Sequence, residues 1–255
     1  MTEQRDELLE ELRPSAFAIA YRMLGSVAEA EDVVQEALLR VHAALERGER
    51  IESPRAYIAT VATRLSIDVL RSARVRREAY VGEWLPEPLV SSESSEDPAR
   101  HAEMADSLSL AFLVLLESLS PEQRAVFLLH DVFDYGYGEV AEIVGKSEDN
   151  ARQLAARARR HVEEQKPRFE ASREERDELA HRFFAAARDG DLKALESLLA
   201  DDVVLHGDGG GVVAVMALDI ADGRIQSIRS IVNPDKLTHV GEVADWASLL
   251  RGQTP

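Results

Sequence analysis

Asn150, Gln153 and Arg157 stand three and four residues apart, the spacing that gathers side chains on one face of a helix. Their types suit base edges: the carboxamides of Asn and Gln pair bidentately with adenine, and the guanidinium of Arg pairs with guanine. Arg152 flanks this face, and Arg159 and Arg160 suit phosphate oxygens. The stretch around them reads EVAEIVGKSEDNARQLAARARRHV over residues 139–162. Val140, Ala141 and Val144 predict the inner face of a first helix, and Gly145 its turn. Ser147 can accept from the free amides of a second helix, whose positive end suits Glu148 and Asp149. Ala151, Leu154, Ala155, Ala158 and Val162 form the buried face, opposite Asn150, Gln153 and Arg157. This is a helix-turn-helix pattern. A helical hairpin with a solvated polar face is the plain alternative.

Two further constellations lie upstream. Arg64, Arg71, Arg74, Arg76 and Arg77 are five cations with one acid, Asp68, among them. They fall on a helix that Ser53 caps and Pro54 opens, with Ile58, Val61, Ala62, Leu65 and Val69 as its core face. Arg64, Asp68 and Arg71 line one face at i, i+4 and i+7. Before it, Asp32, Gln35, Glu36 and Arg40 share the outer face of an amphipathic helix over 28–45, whose inward residues are Val33, Val34, Ala37, Leu38 and Val41. Read by type alone, that outer face is a solvated surface.

The 255-residue chain has 30 Lys and Arg against 47 Asp and Glu, a formal charge of −17, which speaks at first against a polyanionic partner. The excess is unevenly placed. Residues 1–82 and 107–168 each carry a net −2, residues 83–106 carry −6 and residues 169–255 carry −7. A phosphate backbone responds to a local face within about 8–10 Å, so the arginine clusters matter more than the total. There is no cysteine, which excludes disulfides, thiolate metal sites and cysteine nucleophiles. Apolar runs such as Leu110–Leu116 are too short to cross a bilayer, and the N-terminus lacks a signal-peptide pattern. A cytoplasmic protein with no membrane partner is expected.

The periodicities predict a mainly α chain. Helices are expected over 6–47 with a break at Gly25-Ser26, over 53–76, from Ala99 to Leu119, from Ser120 to Leu129, over 139–144 and 147–164, and as one or two helices over 173–200. From Val203 the pattern becomes β-like, with strands at 203–205, 212–218 and 225–232 and a short helix near 243–250. The prolines, serines and acids between Trp84 and Pro98 predict a linker. The expected organisation is two small helical modules, 1–82 and 107–168, joined by an acidic linker, 83–106, and followed by an α+β tail, 169–255.

AYRMLGSVAEAEDVVQEALLRV (Ala20–Val41), SPRAYIATVATRLSIDVLRSARVRRE (Ser53–Glu78) and the block from Leu119 to Val162 together resemble bacterial sigma factors of the extracytoplasmic-function (ECF) class, in order and spacing. WLPEP (Trp84–Pro88), DGGG (Asp208–Gly211) and NPDKL (Asn233–Leu237) resemble the subgroup that carries a fused C-terminal SnoaL-like domain, NTF2-like in fold. The resemblance implies that 1–82 is region 2 and 107–168 is region 4. It also implies that core RNA polymerase and promoter DNA are the partners. Asp32, Gln35, Glu36 and Arg40 would then meet the β′ clamp helices, and region 4 the β flap. Arg64, Asp68, Arg71, Arg74, Arg76 and Arg77 would read and open the −10 element; many members carry Asn where this chain has Arg64. Asp68 could instead hold Arg64 or Arg71 as an ion pair. Asn150, Arg152, Gln153, Arg157, Arg159 and Arg160 would bind the −35 element. No catalytic residue, cofactor or metal is implied.

The tail offers His206, Asp208 and His239, a type set for acid–base chemistry, but nothing in the pattern makes them converge. It is also short, because Gly211 runs straight into Val212 where family members carry a longer stretch. A regulatory tail is the expected role. Its negative charge and that of the linker would lie near the basic faces of the two modules and restrain them in an arrangement unable to bind a promoter. Contacts from Trp84, Pro86, Asp208, Gly209, Asn233, Pro234, Asp235 and Lys236 would hold it. A helix-turn-helix regulator that senses a ligand without polymerase is the competing reading, and a tethered small-molecule enzyme a third.

Overall fold

The structure is a computed structural model that describes residues 2–77, 85–87, 110–165, 173–208, 215–221, 223–231 and 233–237. It divides into two compact units: Met1–Ala79 with Glu93–Gln165, and Tyr80–Ser92 with Lys166–Pro255. The segment expected as a single linker is thus shared between them, its WLPEP portion falling with the C-terminal unit.

The first unit opens with α1 (Thr2–Leu24) and α2 (Val27–Glu46). Between them Gly25 turns the chain at φ 66° and the Ser26 hydroxyl accepts from the Glu29 amide at 3.2 Å. α3 (Pro54–Arg77) packs on both, its start fixed by the Ser53 hydroxyl, which accepts from the Ala56 amide. Ile19, Ala20, Met23, Val34, Ala37, Val41, Ile58 and Ala62 bury the apolar faces that the 3.6 period marked out. α4 (Leu110–Glu117) precedes α5 (Pro121–Phe127), which begins with a complete capping box between Ser120 and Gln123.

Here the structure departs from the expected α-helix through Leu129. Residues Leu128–Val132 form a π-helical turn, closed by the Phe133 amide on the Leu128 carbonyl at 3.0 Å. Such a widened turn carries one extra residue per bonded ring. It brings His130 and Asp131 toward the next two helices. These are α6 (Tyr137–Val144) and α7 (Glu148–Gln165), joined by Gly145 at φ 66°. Val126, Leu129, Val140, Ala141, Ile143, Ala151 and Ala155 form their common core. The small alanines of α7 allow the close approach that the sequence pattern implied.

The second unit contains α8 (Arg173–Asp189) and α9 (Leu192–Leu198), separated by Gly190 at φ 69°. A three-stranded sheet follows, formed by β1 (Leu199–Asp208), β2 (Val215–Ala221) and β3 (Arg224–Ile231) in the order β1-β3-β2. β3 runs parallel to β1 and antiparallel to β2. β1 starts four residues before the expected strand, because Leu199 already pairs with Ile225 ahead of an irregularity that ends at Val204. β2 runs on into its hairpin with β3, to Ala221, past the expected end at Leu218. Leu179, Phe183, Leu198, Ile220 and Ile225 seal the helices onto the sheet. The final turn is a 3-10 helix, Pro234–Leu237. The helix expected at 243–250 and residues 99–109 of the expected 99–119 helix lie outside the described residues. No helix among those described is long and apolar enough to cross a membrane.

Candidate functional site

On α2 the buried stripe Val33, Val34, Ala37, Val41 leaves Asp32, Gln35, Glu36 and Arg40 exposed together. Arg40 Nε donates to Glu36 Oε1 at 2.8 Å, an exposed i, i+4 pair that orders the face without adding much stability. Leu39, 56% exposed, is the large apolar side chain standing out of this surface. It follows Gln35 and Glu36 by four and three residues on the outer face, a spacing that could have marked it, although the reading by residue type left it aside.

α3 carries the second cluster. Asp68 and Arg71 are exposed and 3.7 Å apart. Arg64 does not join them. Its Nε donates to the Ile143 carbonyl at 2.9 Å and its Nη2 to the Glu142 carbonyl at 2.8 Å. Those carbonyls belong to the last turn of α6, where a helix leaves acceptors unfilled and favours a cation. Arg71 Nη2 reaches Glu122 Oε1 of α5 at 2.5 Å. Arg124, 2% exposed, donates through Nη1 to the Met23 carbonyl at 2.5 Å and to Glu117 at 2.9 Å. The Arg22 guanidinium lies 5.3 Å from the Phe133 ring centroid. Four arginines thus stitch α1 and α3 to α5, α6 and the end of the π turn. Arg74, Arg76 and Arg77 stand on the last turn of α3, and their side chains lie outside the described residues, so the five-arginine cluster is seen here only through Arg64 and Arg71.

The hydrogen bond from Arg71 holds the Glu122 carboxyl below its ordinary range, against partial burial. A carboxyl depressed in the packed state stabilises packing above its ordinary value and loses that contribution as pH falls through the depressed one. The α3–α5 contact is therefore expected at full strength at neutral pH and weakened on acidification below the glutamate range. Energy transfer between dyes on cysteines introduced into α2 and α7 reads this. Glu122→Gln should flatten the acid limb, and an unchanged limb would assign the pH dependence elsewhere.

α7 presents Asn150, Arg152, Gln153, Arg157 and Arg160 to solvent, with Ala151, Ala155, Ala158 and Val162 buried behind them. Ser147 caps the helix by accepting from the Asn150 amide at 3.3 Å. Arg157 and Arg160 make no side-chain hydrogen bond to a described residue. Arg152 pairs with Glu148 and lies over the Tyr137 ring at 4.6 Å. Arg159 is half-buried, bound to Asp131 at 2.6 Å and to the Tyr137 hydroxyl at 3.0 Å. The Asp131 contact raises the pKa of the Arg159 guanidinium still further.

In the C-terminal unit Pro86 is buried between Leu85 and Glu87, both also buried. Lys236 is buried too, and its Nζ donates to the Leu85 carbonyl at 2.7 Å. The backbone amide of Lys236 bonds to the Asn233 carbonyl, closing the turn that carries Pro234 and Asp235. Asp208 ends β1 opposite Ile231. Trp84, Gly209 and His239 lie outside the described residues, as do the side chains of His206, Asp208, Pro234 and Asp235.

Two sigma-70-type modules on one chain fit this arrangement: the pattern described as Sigma-70 region 2 matches residues 8–76, and that described as Sigma-70, region 4 matches residues 109–162. The ECF RNA polymerase sigma factor SigJ of Mycobacterium tuberculosis is 42% identical over 226 residues, 88% of this chain and 72% of the relative. The probable ECF RNA polymerase sigma factor SigI of the same species is 34% identical over 203 residues, 79% of this chain and 69% of that one. The crystal structure of the M. tuberculosis ECF sigma factor SigJ superposes with a TM-score of 0.70 at 32% identity, covering 93% of this chain and 98% of the other. The chain belongs to the ECF RNA polymerase sigma factor family.

Proposed function

We propose that this chain is an alternative sigma factor that binds core RNA polymerase and directs initiation at promoters whose −10 and −35 elements are read by α3 and α7. The α2 face of Asp32, Gln35, Glu36 and Arg40 meets the β′ clamp helices, with Leu39 as an apolar anchor in a polar setting. Region 4 meets the β flap. Arg64, Asp68, Arg71, Arg74, Arg76 and Arg77 engage the −10 strand, and Asn150, Arg152, Gln153, Arg157, Arg159 and Arg160 the −35 duplex. Strand opening draws on polymerase contacts and capture of unstacked bases.

The packed arrangement is the resting form, and one observation carries this: Arg64 of the −10 face is hydrogen-bonded to the end of α6, in the −35 module. Positions −35 and −10 are about 25 base pairs apart, roughly 85 Å of duplex at about 3.4 Å per pair. In the packed form α3 is within hydrogen-bond distance of the end of α6, so the two reading helices are held together and not spread over that length. Promoter binding requires Arg64 and Arg71 to leave Glu142, Ile143 and Glu122. Polymerase supplies the separation by holding the two modules at different sites.

The C-terminal unit acts in cis and is SnoaL-like, an NTF2-like fold in shortened form. The helix pair followed by a mixed sheet supports that reading. Trp84, Pro86, Asp208, Gly209, Asn233, Pro234, Asp235 and Lys236 form its regulatory contacts, and the Lys236–Leu85 bond supports the pairing of NPDKL with WLPEP. Holding that segment shortens the tether available for the modules to part. Run-off transcription with purified core polymerase tests the whole reading. The full chain should direct discrete start sites, and Lys236→Ala, which releases the segment, should raise their yield severalfold. A chain that binds core polymerase but never directs a start overturns it; an unchanged yield in Lys236→Ala removes the latch alone.

A further inference from the structure

One side chain outside every predicted cluster touches two of the predicted −35 residues. Tyr137 begins α6, and its ring stacks on His130 at 3.9 Å between centroids with 30° between planes. His130 is itself fixed by a 2.8 Å bond between Nδ1 and the Tyr135 carbonyl. A carbonyl only accepts, so Nδ1 carries the proton. The Arg152 guanidinium carbon lies 4.6 Å from the centroid of the Tyr137 ring, and Arg159 Nη2 donates to the Tyr137 hydroxyl at 3.0 Å. Arg152 and Arg159 are seven residues apart, two turns along the same side of α7.

We propose that Tyr137 is the positioning residue of the −35 face: its ring sets the direction of the Arg152 guanidinium for a base edge, while its hydroxyl sets Arg159 for the phosphate backbone. This rests on the reading of α7 as the −35 helix. An arginine has many rotamers, and restraining it before binding removes part of the ordering cost on the DNA. A cation held over a ring is attracted by the quadrupole and uses no N–H donor to be held. The donors of Arg152 thus stay available for guanine, apart from the one on Glu148, an exposed carboxylate that exchanges readily. Arg159, held by Asp131 and Tyr137 together, is fixed at a half-buried site that suits a phosphate contact more than a base contact.

The two halves of the residue separate by substitution. Tyr137→Phe keeps the ring against His130 and Arg152 and removes only the hydroxyl. Tyr137→Leu removes the ring. The test uses holoenzyme made with the full chain and a promoter library randomised at the −35 element, from which the wild type selects its preferred sequence. Tyr137→Leu should lower affinity for that sequence by about threefold to fivefold relative to a −35 mismatch, while Tyr137→Phe retains the discrimination and loses affinity evenly across sequences. In an Arg152→Ala background Tyr137→Leu should have no further effect on discrimination, since the two residues act as one. Equal losses on all −35 sequences in both backgrounds, with a lowered melting temperature, would make Tyr137 a packing residue and overturn the inference. If Arg152→Ala and Arg157→Ala both leave discrimination intact, the −35 reading of α7 fails instead, and the two failures are told apart in the same experiment.

Discussion

Replacing Arg124 with leucine is expected to lower the stability of the first unit by about 3 kcal/mol, because it takes the guanidinium donor from the part-buried Glu117 carboxylate and from the Met23 carbonyl at the end of α1. For a chain of this length that corresponds to a melting temperature roughly 10 °C lower. The guanidinium is 2% exposed and bridges two backbone segments about a hundred residues apart: the end of α1, through the Met23 carbonyl, and α4, through Glu117. Leucine matches much of the apolar stem but supplies no donor. Arg124→Lys keeps the charge and loses the planar fork, so it should fall between the two. Glu117 is partly exposed, so Glu117→Gln should cost little on its own. The double variant Arg124→Leu with Glu117→Leu should recover part of the loss, since no charge is then left unpaired. Thermal unfolding of the four variants beside the wild type reads these differences. Dye-to-dye distance between α2 and α7 reads whether the modules part. A melting temperature for Arg124→Leu within about 2 °C of the wild type would show that the bridge is replaced by water and carries little of the packing.

The helix-turn-helix was legible in the sequence because everything that makes it is local. Gly145 alone accepts the left-handed turn cheaply, and Ala151, Ala155 and Ala158 report close packing by their size. The exposed face of α2 was legible for the same reason, as the complement of a buried stripe. The contacts between the modules were not. Arg64 and Arg124 cross between the modules onto main-chain carbonyls of Glu142, Ile143 and Met23, and a carbonyl has no letter in a sequence. The contacts of Arg64 in the packed form were therefore not visible beside the −10 role expected of it, and Arg124 did not stand out. The sequence reading looked to the acidic linker and tail for a restraint and did not include the direct contacts between modules, from Arg64 to a helix end and from Arg71 to Glu122. The π turn was hidden too, because Leu128 and Leu129 continue the apolar period of α5 while the bonded ring widens beneath them. In the tail, Leu199 pairs as strand at the end of a run, LKALESLLA, whose composition favours helix, so β1 began earlier than its β-branched residues suggested.

Removing Gln153 and Arg157 together should abolish −35-dependent initiation while leaving the fold and polymerase binding intact. Both side chains are exposed, four residues apart on α7, and neither contributes to the core formed by Ala151, Ala155 and Ala158. Alanine at both positions also favours the helix. Each bidentate base contact contributes about 1–3 kcal/mol of discrimination, so the pair accounts for roughly 30-fold to 25,000-fold if the losses add. Arg160→Ala, a phosphate-type residue on the same helix, should instead weaken binding evenly across sequences and reduce the salt slope by about one. The readout is run-off transcription and holoenzyme binding on promoters that differ only in the −35 element, at two salt concentrations. The decisive comparison lies within the double variant. Discrimination between −35 sequences should vanish, yet co-purification with core polymerase, which we propose rests on Asp32, Gln35, Glu36 and Arg40, should remain at the wild-type level. Preserved discrimination would move −35 recognition off α7. Lost polymerase association would show that this helix faces the enzyme rather than the duplex.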